Sequence, residues 1–382
     1  MKGDAMTTFN PLYLKVYNVL LNQIQSGKLK HGDKVPSEKE LADQFEVSRI
    51  TSKKALDLLS EEKLIERIQG KGSFVIHSNA EIDASSKTKS AIANRKLIGF
   101  ILPGFDDSYG MELVKAVEQR CSELGSNLLL KFSYGSKEVE EQAVNDFLQM
   151  GAEGLIVFPV HGEYVNNKLL ELVSRNFPIV LIDRFIKGIP ASFVCTDHRK
   201  ATIEITSYLF QLGHTEIGFI SPPYEGTTAI EERVMGFHIA HSEHGIKLNR
   251  DYILTEIKNS LPVHEKTNTL LNEERVVLDR FLKKHQSITA IVACEHSIGE
   301  QVMASLSKHG RSVPDDVSIV CFDSPANSKI LFTHIKQDER NIALKAVNLL
   351  HEKISNSAST VQQIFISHSI AEGETTKSFA LK

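Results

Sequence analysis

The sequence predicts an α/β protein in which a small helical unit with a strand hairpin precedes a two-lobed domain built on parallel sheets. Three observations carry this reading. Residues 9–77 read as three helices and two short strands, whereas apolar runs alternate with amphipathic helical stretches from residue 97 onward. Between them, NAEIDASSKTKSAIANRK has few bulky apolar residues and cannot bury a core, so it reads as a linker. At 382 residues the chain also exceeds one compact core. The expected boundaries are therefore 9–77, 78–96 and 97–382.

In the first unit, Leu12, Val16, Val19, Leu20 and Ile24 form an apolar stripe of helical period from Pro11 to Ser26. GKLKHGDKVP breaks it. A second helix starts at Ser37, where Ser37-Glu38-Lys39-Glu40 is a capping box, and Leu41, Ala42 and Phe45 are its inner face. Ser48 is the expected N-cap of a third helix with Ala55, Leu58 and Leu59 turned inward. Arg49 and Lys53, four residues apart, then project together from its first turns. LIERIQGKGSFVI alternates as a strand hairpin around Gly70-Lys71-Gly72, a tight turn carrying a cation. A helix entering the major groove beside a basic hairpin tip on the minor groove or backbone makes physical sense of this set.

The joint pattern PSEKELADQFEVSR…KAL…L…GKGSFV resembles the GntR family of winged helix-turn-helix regulators across almost all of residues 9–77. The resemblance implies that Lys39, Arg49, Thr51 and Lys53 contact double-stranded operator DNA. It also implies that Ser37 and Ser48 serve that face, Ser48 anchoring a phosphate, while Gln69, Gly70 and Lys71 place the wing. Lys39 and Lys53 stand where the family usually has arginine. Lysine is a point charge without the fork that reads guanine in two places, so these positions favour phosphate attraction over base readout.

In the second unit, LIGFIL (97–102), NLLLKF (127–132), GLIVF (154–158), PIVLI (178–182), EIGFI (216–220), TAIVA (289–293) and VSIVC (317–321) are continuous apolar runs separated by helices. Such runs are parallel strands covered on both faces. Their number exceeds one ordinary sheet, so two lobes with a cleft between them are expected. In open α/β sheets a ligand lies beyond the carboxyl ends of the strands, and polar residues collect there. Asp107 and Tyr109 follow the first run, Asp183 and Arg184 follow PIVLI, and Asp197 and His198 follow FVCT. Glu295 and His296 follow TAIVAC, and Asp323 follows SIVCF. Carboxylates, arginine and amides so placed suit the vicinal hydroxyls of a polyol, which both donate and accept.

From Leu97 to Ser369 the chain resembles the LacI/GalR effector domain, itself similar to periplasmic sugar-binding proteins. VLIDRF, LGHTEIGFIS, ERVMGF, VPDDVSIVCFD and IKQD carry the resemblance. It implies that Arg233, in ERVMGF, is the foremost sugar contact and that Gln337, in IKQD, lies at a crossover between lobes. His296 and Ser324 depart from the family's usual residues, which leaves the sugar open. A GntR-type reader joined to a LacI-type sensor is the arrangement of the arabinose-repressor group. That implies a homodimeric repressor released from its operator by arabinose or a related pentose, with a hexose, disaccharide or sugar phosphate as the alternative effector.

Composition bounds the remaining classes. A net charge of −4 confines nucleic-acid contact to a local basic surface. The four cysteines, Cys121, Cys195, Cys294 and Cys321, form no CxxC pair and read as buried thiols in a reducing compartment. The N-terminus lacks the apolar segment of a signal peptide, and no apolar run reaches the ~20 residues that span a bilayer. A soluble cytoplasmic protein is expected, with no membrane partner. There is no GxxxxGK[ST] phosphate loop, no GxGxxG after a strand, no GxSxG elbow and no HExxH. A sugar-using α/β enzyme is therefore the weaker reading, and no catalytic residue, cofactor or metal is expected.

Overall fold

The computed structural model describes residues 12–68, 70–76, 95–162, 166–258, 268–325, 331–356 and 360–379. Gln69, residues 9–11, the expected linker through residue 94, and residues 380–382 lie outside these. The chain divides into two compact units between Arg95 and Lys96.

The first unit runs α1 (Leu12–Gln25), β1 (Lys34–Val35), α2 (Glu38–Phe45), α3 (Arg49–Glu61), β2 (Ile65–Ile68) and β3 (Gly72–Val75). Its strands form an antiparallel sheet in the order β1-β3-β2. Val16, Leu20 and Ile24 of α1 meet Leu41, Ala55, Leu56, Leu59, Ile65 and Val75 in one core. Leu12 falls outside it, 58% exposed, because the core begins one turn further along α1. The expected capping box is present: the Ser37 hydroxyl accepts from the Glu40 amide, and the Glu40 carboxylate accepts from the Ser37 amide at 2.7 Å. Arg67 on β2 bonds both Glu38 of α2 and Asp57 of α3, so the hairpin ties the two helices together.

The second unit is two lobes. The N-lobe strands are β4 (Lys96–Leu102), β5 (Ser126–Phe132), β6 (Gly154–Val157), β7 (Ile179–Ile182) and β8 (Ser192–Thr196), with helices α4 (Met111–Glu123), α5 (Lys137–Gln149) and α6 (Asn167–Ser174) between them. The chain then crosses into α7 (His198–Gln211), β9 (Ile217–Ile220), α8 (Thr228–Glu243), β10 (Ile253–Leu254) and α9 (Asn268–Lys284). The C-lobe continues through β11 (Ala290–Ala293), α10 (His296–Lys308), β12 (Ser318–Phe322) and β13 (Thr333–Gln337). It returns to the N-lobe for α11 (Glu339–Ser355) and β14 (Gln363–Ile366), then goes back for β15 (His368–Ala371).

The sheet orders are β14-β8-β7-β6-β4-β5 and β10-β9-β11-β12-β13-β15, parallel throughout except for β15. Strands β6, β7, β8, β9, β11 and β12 are buried at every position, as continuous apolar runs require. The edge strands β10, β14 and β15 are short and carry no such run, whereas the edge strand β5 carries NLLLKF but is only partly buried, so that run is not covered on both faces as expected. Among the described residues the chain passes between lobes at three places, around Asp197, Asp338 and Ser367. Two of these residues are helix caps: Asp197 accepts from the Lys200 amide and Asp338 from the Asn341 amide. The four cysteines are buried and free.

Helices α7 and α8 approach closely at Gly236, where a Cβ would lie 2.4 Å from the Arg199 carbonyl oxygen and 2.8 Å from Thr202 Cβ. Alanine would otherwise favour the helix by ~1 kcal/mol, but a backbone oxygen cannot give way as a side chain can. Gly236→Ala is therefore expected to destabilise the protein by ~1–3 kcal/mol. Urea unfolding checks this, and a variant as stable as the parent would mean that the helices part without cost.

Candidate functional site

The carboxyl ends of the parallel strands surround a cavity of about 550 Å³ between the two lobes. That volume is ordinary for a small-molecule site. Asp183 and Asp323 occupy equivalent positions, each following the last residue of a strand, and both adopt left-handed backbone, with φ 65° and 60°. Aspartate tolerates that region better than most side chains. Arg184 follows Asp183. Arg233 enters from α8, Glu295 and His296 from the start of α10, and Gln337 from the end of β13.

Arg233 is almost fully buried. Its Nη1 donates to the Cys294 carbonyl at 2.6 Å, its guanidinium lies 3.8 Å from the centroid of the Phe322 ring, and Nε and Nη2 point at His198 Nδ1. His198 in turn meets the Asp183 carbonyl through Nε2 at 3.1 Å. With Nδ1 accepting from an arginine, Nε2 carries the proton, so the imidazole is neutral. Burial first and the Arg233 charge second hold its pKa down to about 3. Burial alone would depress Arg233, yet Asp323, Asp183 and Glu295 around it leave its pKa raised. Asp323 accepts from Gln337 Nε2 at 2.8 Å, and burial pushes its carboxyl up to about 8 against the opposing pull of Arg233 and Gln337.

Several buried polar atoms facing this space make no hydrogen bond among the described residues: Arg184 Nε and Nη1, His296 Nε2 and Gln337 Oε1. Arg184 lies over Phe158, 4.8 Å from the ring centroid, with Asp183 3.7 Å away. Buried polar groups in proteins are normally satisfied. Donors and an acceptor held ready beside carboxylates fit a neutral, hydroxyl-rich ligand. The lobes also touch beside the cavity, where Thr228 Oγ1 accepts from the Phe185 amide and donates to its carbonyl, and Lys187 pairs with Glu231 at 2.6 Å.

Of the expected cleft residues, Tyr109, Asp183, Arg184, Arg233, Glu295, His296, Asp323 and Gln337 line the cavity together. Three do not. Asp107 is exposed and its neighbour Asp106 takes the place, fixing the loop by accepting from the Ser108 and Tyr109 amides. Asp197 caps α7. His198 stands behind Arg233 and positions it. Sequence reasoning missed Phe105, Phe132, Tyr134, Phe158 and Phe322 in the lining. Phe132, Phe158 and Phe322 each end an apolar run, a signal that was present but indistinguishable from core.

On the first unit, Ser48 caps α3 by accepting from the Thr51 amide, and the two hydroxyls lie 2.8 Å apart. Ser37, Lys39, Ser48, Arg49 and Lys53 are exposed, with Thr51 half-buried among them. Lys71 is exposed at the hairpin tip beside Gly70, whose φ of 79° the turn requires. Gln69 lies outside the described residues. An exposed cationic first turn on a capped helix is what a phosphate backbone meets favourably.

Comparison with known proteins agrees with both units. The family model described as bacterial regulatory proteins, gntR family, matches residues 12–75. That for a periplasmic binding protein-like domain matches residues 206–376. The chain joins a gntR-type helix-turn-helix domain to a periplasmic binding protein-like domain. This regulator is 28% identical over 352 residues to the arabinose metabolism transcriptional repressor of Geobacillus stearothermophilus, covering 90% of this chain and 91% of that one. It is 28% identical over 391 residues to the repressor of the same name from Halalkalibacterium halodurans, covering 95% and 99%. Among solved structures, the transcription regulator CcpA of Lactococcus lactis superposes with a TM-score of 0.64 at 19% identity, over 74% of this chain and all of that one. A sugar-binding LacI-family regulator from Escherichia coli gives 0.58 at 20% identity, over 74% and 98%. These two likenesses bear on the regulator's fold. The relatives are transcription regulators and not enzymes. No helix among the described residues is long and apolar enough to cross a membrane.

The Asp323 carboxyl makes the regulator's stability depend on pH. Its pKa rises from 3.8 in the unfolded chain to about 8 on folding, so folding takes up a proton between those values. That contribution is fully present below the unfolded pKa and lost as the pH rises through the folded one. An asparagine at this position would keep the bond from Gln337 without the charge. The stability of Asp323→Asn relative to the parent is therefore expected to grow steadily from pH ~5 to ~8. Thermal unfolding across that range checks it, and a constant difference would show that Asp323 folds ionised.

Proposed function

We propose that this protein is a sugar-responsive repressor that binds operator DNA through its first unit and is released when a sugar fills the cavity of the second. The observation that carries the reading is the cavity itself. Its buried Arg184, His296 and Gln337 atoms lack partners and its carboxylates flank two arginines, on a chain that also bears a gntR-type DNA reader. Arabinose is the leading effector, on the strength of two relatives that align over nine-tenths or more of this chain. Asp183, Glu295 and Asp106 add negative charge around the two arginines, which favours a neutral sugar over a phosphorylated one. A cytoplasmic homodimer presenting two winged helices to a two-fold symmetric operator completes the reading.

The mechanism is linkage. Asp183 and Arg184 belong to the N-lobe, and Arg233, Glu295 and Asp323 to the C-lobe, so one ligand bonded to both sets favours closure. The crossovers near Asp197, Asp338 and Ser367 are the hinge. Closure changes the spacing or freedom of the DNA readers, and operator affinity falls by the coupling free energy, typically ~1–3 kcal/mol or roughly 5- to 150-fold. On the DNA face, Ser48, Arg49, Thr51, Lys39 and Lys53 meet phosphates and base edges, with Gly70 and Lys71 on the wing.

Two substitutions separate the activities. Arg49→Ala is expected to abolish binding to DNA that the parent selects from a randomised pool, while sugar still raises its unfolding temperature. Arg233→Ala is expected to leave DNA binding intact and make it insensitive to sugar. A thermal-shift panel of pentoses, hexoses, disaccharides and sugar phosphates, followed by DNA-binding titration with each stabilising sugar, reads both. DNA affinity that no sugar changes would end the reading.

A further inference from the structure

Ile50, in the first turn of α3, is 81% exposed, the most of any large apolar side chain among the described residues. Packing has no use for it. Ser52, Ala55, Leu56 and Leu59 form the buried face of α3, and Ile50 takes no part in the core around the last three. Helix formation does not call for it either. A β-branched side chain is a poorer helix former than alanine or glutamate, and the first turn favours a carboxylate.

Single exposed apolar residues are ordinary on protein surfaces; the neighbours of this one are not. Arg49 precedes Ile50, and Lys53, three residues on, lies beside it on the helix surface; both cations are exposed. Helical side chains lean toward the N-terminus, so all three crowd the end of α3 that Ser48 caps. The Thr51 hydroxyl is engaged there by Ser48 at 2.8 Å. Lys54 is occupied elsewhere, its ammonium 4.1 Å from the centroid of the Tyr13 ring on α1. The tip of α3 therefore presents one apolar group flanked by two cations rather than a uniform basic surface.

In the major groove of DNA the apolar mark on a base edge is the 5-methyl group of thymine; the other marks there are donors and acceptors, which isoleucine cannot meet. Lysine at positions 39 and 53 cannot grip guanine in two places, so more of the base discrimination falls on other contacts. We propose that Ile50 is a specificity-determining residue of the DNA reader: with α3 in the major groove, its side chain packs on the 5-methyl group of one thymine in each half of the operator. This rests on the operator-binding reading above and extends it to a base. Arg49 and Lys53 hold the helix tip on the DNA, and Ile50 sets which base it accepts. Cytosine at that place removes the methyl and sets an amino donor near a side chain that cannot accept from it.

The test uses the full-length protein and DNA that it selects from a randomised pool, resynthesised with each thymine replaced in turn by deoxyuridine, which lacks only the methyl group. At one thymine in each half of the site, the replacement is expected to weaken binding by the parent roughly three- to tenfold at constant salt. In Ile50→Ala the same replacement is expected to matter by less than about twofold, and in Ile50→Val, which keeps a methyl to meet it, most of the penalty is expected to return. Ile50→Ala is also expected to bind the unmodified DNA about as well as the parent binds DNA with both thymines replaced. Unfolding temperatures equal to the parent's confirm that the variants are folded, as an exposed position predicts. No sensitive thymine in the parent, an equal penalty in Ile50→Ala, or a loss of binding in that variant beyond the methyl effect overturns the proposal and leaves the repressor reading standing. A parent that selects no DNA overturns both.

Discussion

Everything in the sensor turns on one buried guanidinium. Arg233 is removed from water on a helix that packs within van der Waals distance of its neighbour at Gly236. A charge so placed is tolerable only with partners arranged around it. The partners come from several elements: the Cys294 carbonyl, the Phe322 face, neutral His198, the Asp183 carboxylate and the Asp323 carboxyl. Because Asp183 and its carbonyl belong to one lobe and Arg233 to the other, meeting the needs of this single charge also aligns the two lobes at the cleft. The same grouping accompanies a raised pKa at Asp323 and a depressed one at His198, so the site stays close to neutral despite its many ionisable groups.

This balance explains the kind of ligand the cavity suits. Each charged group already has most of its compensation, and what remains is a small set of directed donors and acceptors. A ligand that brought its own net charge would unsettle the arrangement, whereas one that brings hydroxyls completes it. Three chain crossings lie beside the site, two of them at helix caps.

Much of this was legible in the sequence because the signals are local. The capping box at Ser37, the N-cap at Ser48 and the continuous apolar runs each depend on neighbours within a few residues, and the structure has them where expected. That Tyr109, Asp183, Arg184, Glu295, His296 and Asp323 line the cavity followed from one rule, that polar groups after parallel strands gather at its mouth. Arg233 and Gln337 lie outside that rule, and only the family resemblance pointed to them. The failures are equally physical. Asp106 and Asp107 are adjacent in a loop, and only the Asx-type bonds to Ser108 and Tyr109 decide which one turns inward. His198 lies behind Arg233 and bonds its guanidinium, a placement that no local sequence signal gives. Phe132 and Phe158 end apolar runs, so nothing in their periodicity separates a cavity wall from a core. Leu12 continues the stripe of α1 beyond the point where anything packs on it. The edge strands β14 and β15 are short and partly exposed, so no continuous apolar run marks them.

In the proposed repressor one sugar-binding equilibrium and one DNA-binding equilibrium share a free energy of coupling. Thermodynamic linkage requires that coupling to be reciprocal. The most direct measurement is therefore the affinity for the stabilising sugar with and without saturating DNA selected by the protein itself. Sugar affinity is expected to fall in the presence of DNA by the same factor by which sugar weakens DNA binding. A sugar affinity indifferent to bound DNA would contradict the account.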